Sequence, residues 1–113
     1  MKTIIAGGRD YHLSDTDVLK LDELADNISQ VVSGAARGVD SCGELWARKN
    51  NIPVKMFPAD WKTYGKKAGY LRNKQMAEYA DGCVLFTGGK GTQMMFDLAK
   101  EYNLKIWDFR LKG

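Results

Sequence analysis

The 113-residue chain has one histidine, two cysteines and two prolines. His12 lies beside Tyr11 with no serine or cysteine partner and reads as a surface or capping residue. No His/Cys/Asp/Glu cluster has the spacing of a metal site, so no metal and no resident cofactor is expected. Cys42 and Cys83 are too few for a disulfide framework and sit in apolar sequence, which predicts two buried thiols in a reducing compartment. No apolar run approaches the roughly 20 residues that span a bilayer, and the first apolar run follows Met1 directly, without a signal-peptide pattern. The expectation is a cytoplasmic protein with no membrane partner. Charge of one sign is not abundant either. Seventeen Lys+Arg against 14 Asp+Glu leave a net +3, which favours anionic ligands but does not by itself establish nucleic-acid binding.

Glycine is plentiful, at 12 residues, and it falls in clusters rather than in a repeat. The length suits one domain, spanning 1–113. Five short apolar runs, at 3–6, 30–33, 53–57, 83–86 and 104–107, have strand length and are continuous, as in strands covered on both faces. Helical periodicity fills the intervals. It is carried by Val18, Leu21, Leu24, Ala25 and Ile28, then by Cys42, Leu45 and Trp46. Met76, Tyr79 and Ala80 follow, and then Met94, Met95, Leu98, Ala99 and Tyr102. The methionine pair at this spacing reads as core. Strand alternating with helix predicts an α/β, Rossmann-like, doubly wound parallel sheet of five strands, with helices on both faces and strand order 3-2-1-4-5. Ligands bind such sheets beyond the strand carboxyl ends at the switch point, here between strands 1 and 4.

The glycine clusters fall where that topology offers a site. The first strand runs into Gly7-Gly8-Arg9-Asp10-Tyr11 and the fourth into Thr87-Gly88-Gly89-Lys90-Gly91-Thr92. Glycine lets backbone N–H groups approach an anion, and a helix N-terminus adds partial positive charge. Thr92 either caps the following helix or offers its hydroxyl to a phosphate. After the second strand, Ser33-Gly34-Ala35-Ala36-Arg37-Gly38-Val39-Asp40 repeats the strand–glycine–helix design. In it Arg37 suits a phosphate clamp, and Asp40 either caps a helix or holds a ribose hydroxyl. Asp60 and Trp61 can wall a base or sugar, and Arg72 beside Asn73 supplies a counter-charge. Lys66 and Lys67 read as solvated surface charges. Neither a Walker A loop nor a GxGxxG fingerprint is present.

Five segments, GGRDY (7–11), VVSGAARGVDS (31–41), FPADW (57–61), AGYLRNKQM (68–76) and TGGKGT (87–92), resemble the SLOG superfamily. Within it they resemble the YspA-like branch of small standalone domains of bacteria and phages. SGAARGVD is similar to the equivalent loop of DprA, which binds single-stranded DNA. The last two segments are similar to the Lonely Guy phosphoribohydrolases, whose PGGxGTxxE motif carries a glutamate used in cleavage. Here Thr87 replaces its proline and Met95 stands in place of the glutamate, while Arg72 matches the hydrolase arginine. A thioether can neither accept a proton usefully nor steady an oxocarbenium centre. The resemblance therefore implies a module that senses or sequesters a nucleotide or ADP-ribose-like ligand, with no catalytic residue assigned. Two alternatives stay open: a nucleoside 5′-monophosphate phosphoribohydrolase using a displaced carboxylate at Asp10, Asp40 or Asp60, and weak single-strand binding. Related domains often dimerise, and three tryptophans give surface that a second copy would cover, so a homo-oligomer is expected.

Overall fold

In the computed structural model, which describes residues 1–111, the central strand owes its place to a run in which every side chain is covered. Strand β1 (Lys2–Ala6) buries Ile4 on one face and Ile5 on the other, each at 1% exposure or less. Both faces of the sheet must therefore carry a layer. Ile4 packs with Val32, Cys83, Leu85, Met76, Met95 and Leu98. Ile5 packs with Val31, Val84, Phe86, Leu21, Val39 and Trp46.

Strands β2 (Gln30–Ser33), β3 (Val54–Met56), β4 (Gly82–Leu85) and β5 (Lys105–Asp108) complete one parallel sheet in the order β3-β2-β1-β4-β5. Helices α1 (Asp15–Leu24) and α2 (Val39–Lys49) cover the Ile5 face, while α4 (Ala68–Tyr79) and α5 (Lys90–Glu101) cover the Ile4 face. A one-turn helix, α3 (Trp61–Tyr64), precedes α4. The Rossmann-like architecture and strand order match the sequence expectation. Among the described residues no helix is long and apolar enough to cross a membrane.

Local details differ from the sequence pattern for identifiable reasons. Helix α1 starts earlier than its apolar stripe because Ser14 caps it. The Ser14 Oγ accepts from Asp17 N–H at 3.1 Å, and Asp17 Oδ2 accepts from Ser14 N–H at 3.0 Å. The helix tightens to a 3₁₀ turn at Ala25–Asn27, which ends it short of Ile28. Leu45, placed on the buried stripe of α2 by spacing, is 54% exposed. The buried face runs instead through Val39, Gly43, Trp46 and Ala47, because α2 lies close on β1: a Cβ at Gly43 would meet Ile5 Cγ2 at 3.0 Å. Cys83 is buried, but Cys42 is only half-buried, so the two thiols are not alike.

Candidate functional site

At the carboxyl end of the sheet the chain leaves β1 and β4 side by side. Their loops are stitched together by Gly8 N–H donating to the Thr87 carbonyl at 2.9 Å. The loop from β2 joins them, since the Gly8 carbonyl accepts from Val39 N–H at 3.2 Å. Two glycines make this convergence fit. At Gly38 φ is +78°, and an added Cβ would lie 2.3 Å from the Gly8 carbonyl oxygen. At Gly88 it would lie 2.1 Å from Thr92 Oγ1. Both are framework positions. Gly89 and Gly91 differ, because an added Cβ there would meet nothing within 4 Å.

Between these loops and α4 lies a cavity of about 450 Å³. Its β1 wall is Gly7, Gly8 and Arg9, and its α5 wall is Gly89, Gly91 and Thr92 at the N-terminus of a 12-residue helix. Asp40, Arg72 and Asn73 face it from α2 and α4, and Trp61 stands at its mouth with the Arg9 guanidinium 5.7 Å from the ring centre. A second cavity of about 410 Å³ is lined by Gly34, Arg37 and Trp61, among others, and shares Arg72 with the first.

Arg72 is held in place before any ligand arrives. Its guanidinium donates to the Gly34 carbonyl, and its Nε donates to Asn73 Oδ1 at 2.8 Å. Asn73 in turn reaches the TGGKGT loop, with Nδ2 donating to the Gly91 carbonyl at 3.5 Å. Burial lowers the Arg72 pKa, opposed by the negative charge of Asp40. Asp40 is 8% exposed, and burial raises its pKa to about 6 against the Ala36 N–H, which donates to Oδ2 at 3.2 Å, and the Arg72 charge. Gly34 separates the two: a Cβ there would sit 2.7 Å from Arg72 Nη1 and 2.9 Å from Asp40 Oδ2.

Several anticipated residues lie outside the cavities. Asp10 is exposed and pairs with Arg37 at 3.1 Å on the surface. Asp60 caps α3, accepting from Thr63 N–H at 3.1 Å. Thr87 Oγ1 accepts from Leu111 N–H at 3.0 Å, tying the loop to the chain beyond β5. Ser33 is buried beneath the β2 loop, where its hydroxyl donates to Glu44 Oε2 at 2.6 Å and accepts from Ala35 N–H at 3.1 Å. Neither Asp40 nor Thr92 caps a helix; the N-cap positions are Gly38 and Gly89, without side-chain caps.

Other contributors were not anticipated. Lys66, read as a surface charge, lines the first cavity with Tyr70, and the core methionines Met76, Met94 and Met95 line it too. Glu44, a buried carboxylate, gave no sequence signal because its partner Ser33 is eleven residues away on a different element. Among the described residues no group of three or more His, Cys, Asp and Glu side chains is arranged to hold a metal ion.

Comparison with known proteins adds an identification to this geometry. The model of the YspA, cpYpsA-related SLOG family matches residues 1–64. The chain belongs to that family. The match takes in β1, the β2 loop, Asp40 and Trp61, and ends before Arg72 and the TGGKGT loop. The family member is also similar to the Gene 61 protein of Mycobacterium phage D29. The two are 35% identical over 102 residues, covering 78% of this chain and 82% of the phage protein.

Proposed function

We propose that the chain is a binding module for a nucleotide or a nucleotide derivative, acting as one unit from 1 to 113 and sensing or sequestering its ligand. One observation carries the reading. The open backbone of Gly89 and Gly91 at the start of α5 and the pre-positioned Arg72 guanidinium face the same cavity at the switch point of the sheet. An anion there meets backbone N–H dipoles on one side and a fixed cation on the other. The apolar floor of Met76, Met94 and Met95, with Tyr70 and Trp61, suits a base. The cytoplasm fits the free thiols of Cys42 and Cys83. Self-association is part of the proposal and is checked by light scattering. Its basis is not the tryptophans, since Trp46 is in the core, Trp107 packs against it from β5 and Trp61 lines the cavity, but exposed apolar side chains such as Leu19 and Leu45.

Gly91→Asp tests the phosphate position. It adds a carboxylate where the backbone faces the cavity, yet its Cβ has free space, and an acidic residue in the first turn of a helix is favourable. The variant should keep its melting temperature and lose affinity for AMP, GMP and ADP-ribose by titration calorimetry. Unchanged affinity in the folded variant removes this loop from the site.

A second reading has one observation in its favour. Of the three carboxylates placed to replace the hydrolase glutamate, only Asp40 lines a cavity, and its pKa near 6 suits proton transfer at neutral pH. If the module cleaves nucleoside 5′-monophosphates, base release should be measurable above buffer and vanish in Asp40→Asn. No release from AMP, GMP, CMP or a cytokinin nucleotide retires that reading.

A further inference from the structure

The charge of the chain is unevenly spread. Residues 61–77 hold five Lys and Arg and no Asp or Glu, whereas residues 15–27 hold five Asp and Glu against one Lys. Each segment presents its excess to solvent together with large apolar side chains. In the basic one, Trp61, Tyr64 and Tyr70 are 50%, 52% and 45% exposed, among exposed Lys62, Lys66 and Lys67. Trp61, Lys66 and Tyr70 line the first cavity, but Lys62, Tyr64 and Lys67 line neither cavity, so the patch reaches past the candidate site. In the acidic one, exposed Asp15, Leu19, Asp22 and Glu23 recur at helical spacing along α1, with exposed Asp26 in the 3₁₀ turn beyond it. Leu19, at 61% exposure, has carboxylates to either side of it on that face. Lys20, the one base in the segment, is engaged over the Phe109 ring, 5.0 Å from its centre.

Neither set of charges is answered within the chain. Among the described residues, none of Asp15, Glu23, Asp26, Lys62, Lys66 and Lys67 belongs to an ion pair. The sheet keeps the two surfaces apart. Helix α1 lies on the Ile5 face, while α3 leads into α4 on the Ile4 face, so they belong to opposite layers of one molecule. Two copies can supply what one lacks, since carboxylates around a projecting leucine complement lysines around three aromatic rings.

Resting on the self-association in the reading above, we propose that the occupant of the Trp61–Tyr70 patch is the α1 face of a second copy. Leu19 meets the aromatic rings, and the carboxylates meet Lys62, Lys66 and Lys67. The contact joins two different surfaces, so it is head-to-tail. A copy seated there also covers Trp61, Lys66 and Tyr70, which ties assembly to access to the first cavity. These charges are exposed, and the Debye length is about 8 Å at physiological ionic strength, so the assembly weakens as salt rises.

The test uses two double variants that suit their own helices. Glu23→Lys with Asp26→Lys reverses the acidic face and puts a base in the last turn of α1, which has none. Lys62→Glu with Lys67→Glu reverses the basic patch and puts an acid at the N-cap of α4. Circular dichroism melts check that both fold. Sedimentation velocity over a concentration series should show the parent associating, and less so in high salt. Each variant alone should associate at least about tenfold more weakly. Their equimolar mixture should associate again, because each keeps the surface that the other has lost. Association unchanged in both variants overturns this interface and leaves self-association standing. A mixture that associates no better than its components also overturns it. A parent that stays monomeric throughout overturns the interface and self-association together, while nucleotide binding is read separately by calorimetry. Tight binding of a single-stranded oligonucleotide that is lost in the Lys62→Glu, Lys67→Glu variant assigns the patch to nucleic acid and overturns the proposal.

Discussion

Asp40 is the residue with the most at stake. Its carboxyl is buried on the cavity wall, and the folded state holds its proton more tightly than the unfolded chain does, with a pKa near 6 against 3.8 for an ordinary aspartate. Stability from this group is therefore complete below about pH 4 and is lost as pH rises through about 6, a loss on the order of 2–3 kcal/mol. Asp40→Asn keeps an oxygen for the Ala36 N–H but cannot ionise. Urea melts should show the variant gaining on the parent between pH 4 and pH 7.5, by somewhat less than that full amount because the unfolded parent's Asp40 is already partly ionised at pH 4. A difference between variant and parent that is the same at both pH values would mean that Asp40 is ionised freely in the fold. Retaining a carboxylate whose burial weakens the fold at neutral pH is the kind of cost that accompanies a site.

At the level of elements, the three strand-to-helix turns divide their glycines between crowded framework positions and positions with open space, and substitution should separate the two kinds. Gly38→Ala forces a Cβ into a left-handed residue and into the Gly8 carbonyl, and should lower stability by about 2–3 kcal/mol. Gly91→Ala, in open space within the first turn of α5, should raise it by up to about 1 kcal/mol. Equal effects in chemical denaturation would erase the distinction. The sequence could not draw it, because a glycine carries no side-chain pattern and its role depends on what lies opposite. The strands were legible for the converse reason: a run such as Thr3-Ile4-Ile5-Ala6 can satisfy neither face unless both are covered, and that requirement places it at the centre of a sheet. Periodicity failed at Leu45 because Gly43, which has no side chain to mark the buried face, is the residue that lets α2 approach β1. The loops that line the candidate site were legible through clustered glycines. Glu44 beneath Ser33 and Lys66 at the cavity wall were not, since each gains its place from a partner distant in sequence.

Over the whole molecule, the net charge of +3 is small, and four cations, Arg9, Arg37, Lys66 and Arg72, line the two adjoining cavities. A single-strand path that neutralises several phosphates loses affinity with salt at a slope of roughly −0.7 per contact. A pocket relying on fixed backbone dipoles and one or two arginines is screened less. Oligonucleotide binding should therefore be weak and fade near physiological salt, while nucleotide binding persists. Tight, salt-sensitive oligonucleotide binding without nucleotide affinity would instead assign the two cavities to DNA. The first cavity also has walls from opposite halves of the chain, Ala6 to Asp40 on one side and Trp61 to Met95 on the other, which meet where β4 pairs with β1. A ligand held by both walls would bind only the assembled fold, so its occupancy would be thermodynamically linked to global unfolding. At a ligand concentration about 100 times Kd that linkage amounts to about 2.7 kcal/mol, roughly 10 °C in a domain of this size. The melting temperature of the untouched chain thus becomes a readout for unknown metabolites, and a compound library can be screened against it with no prior guess about chemistry.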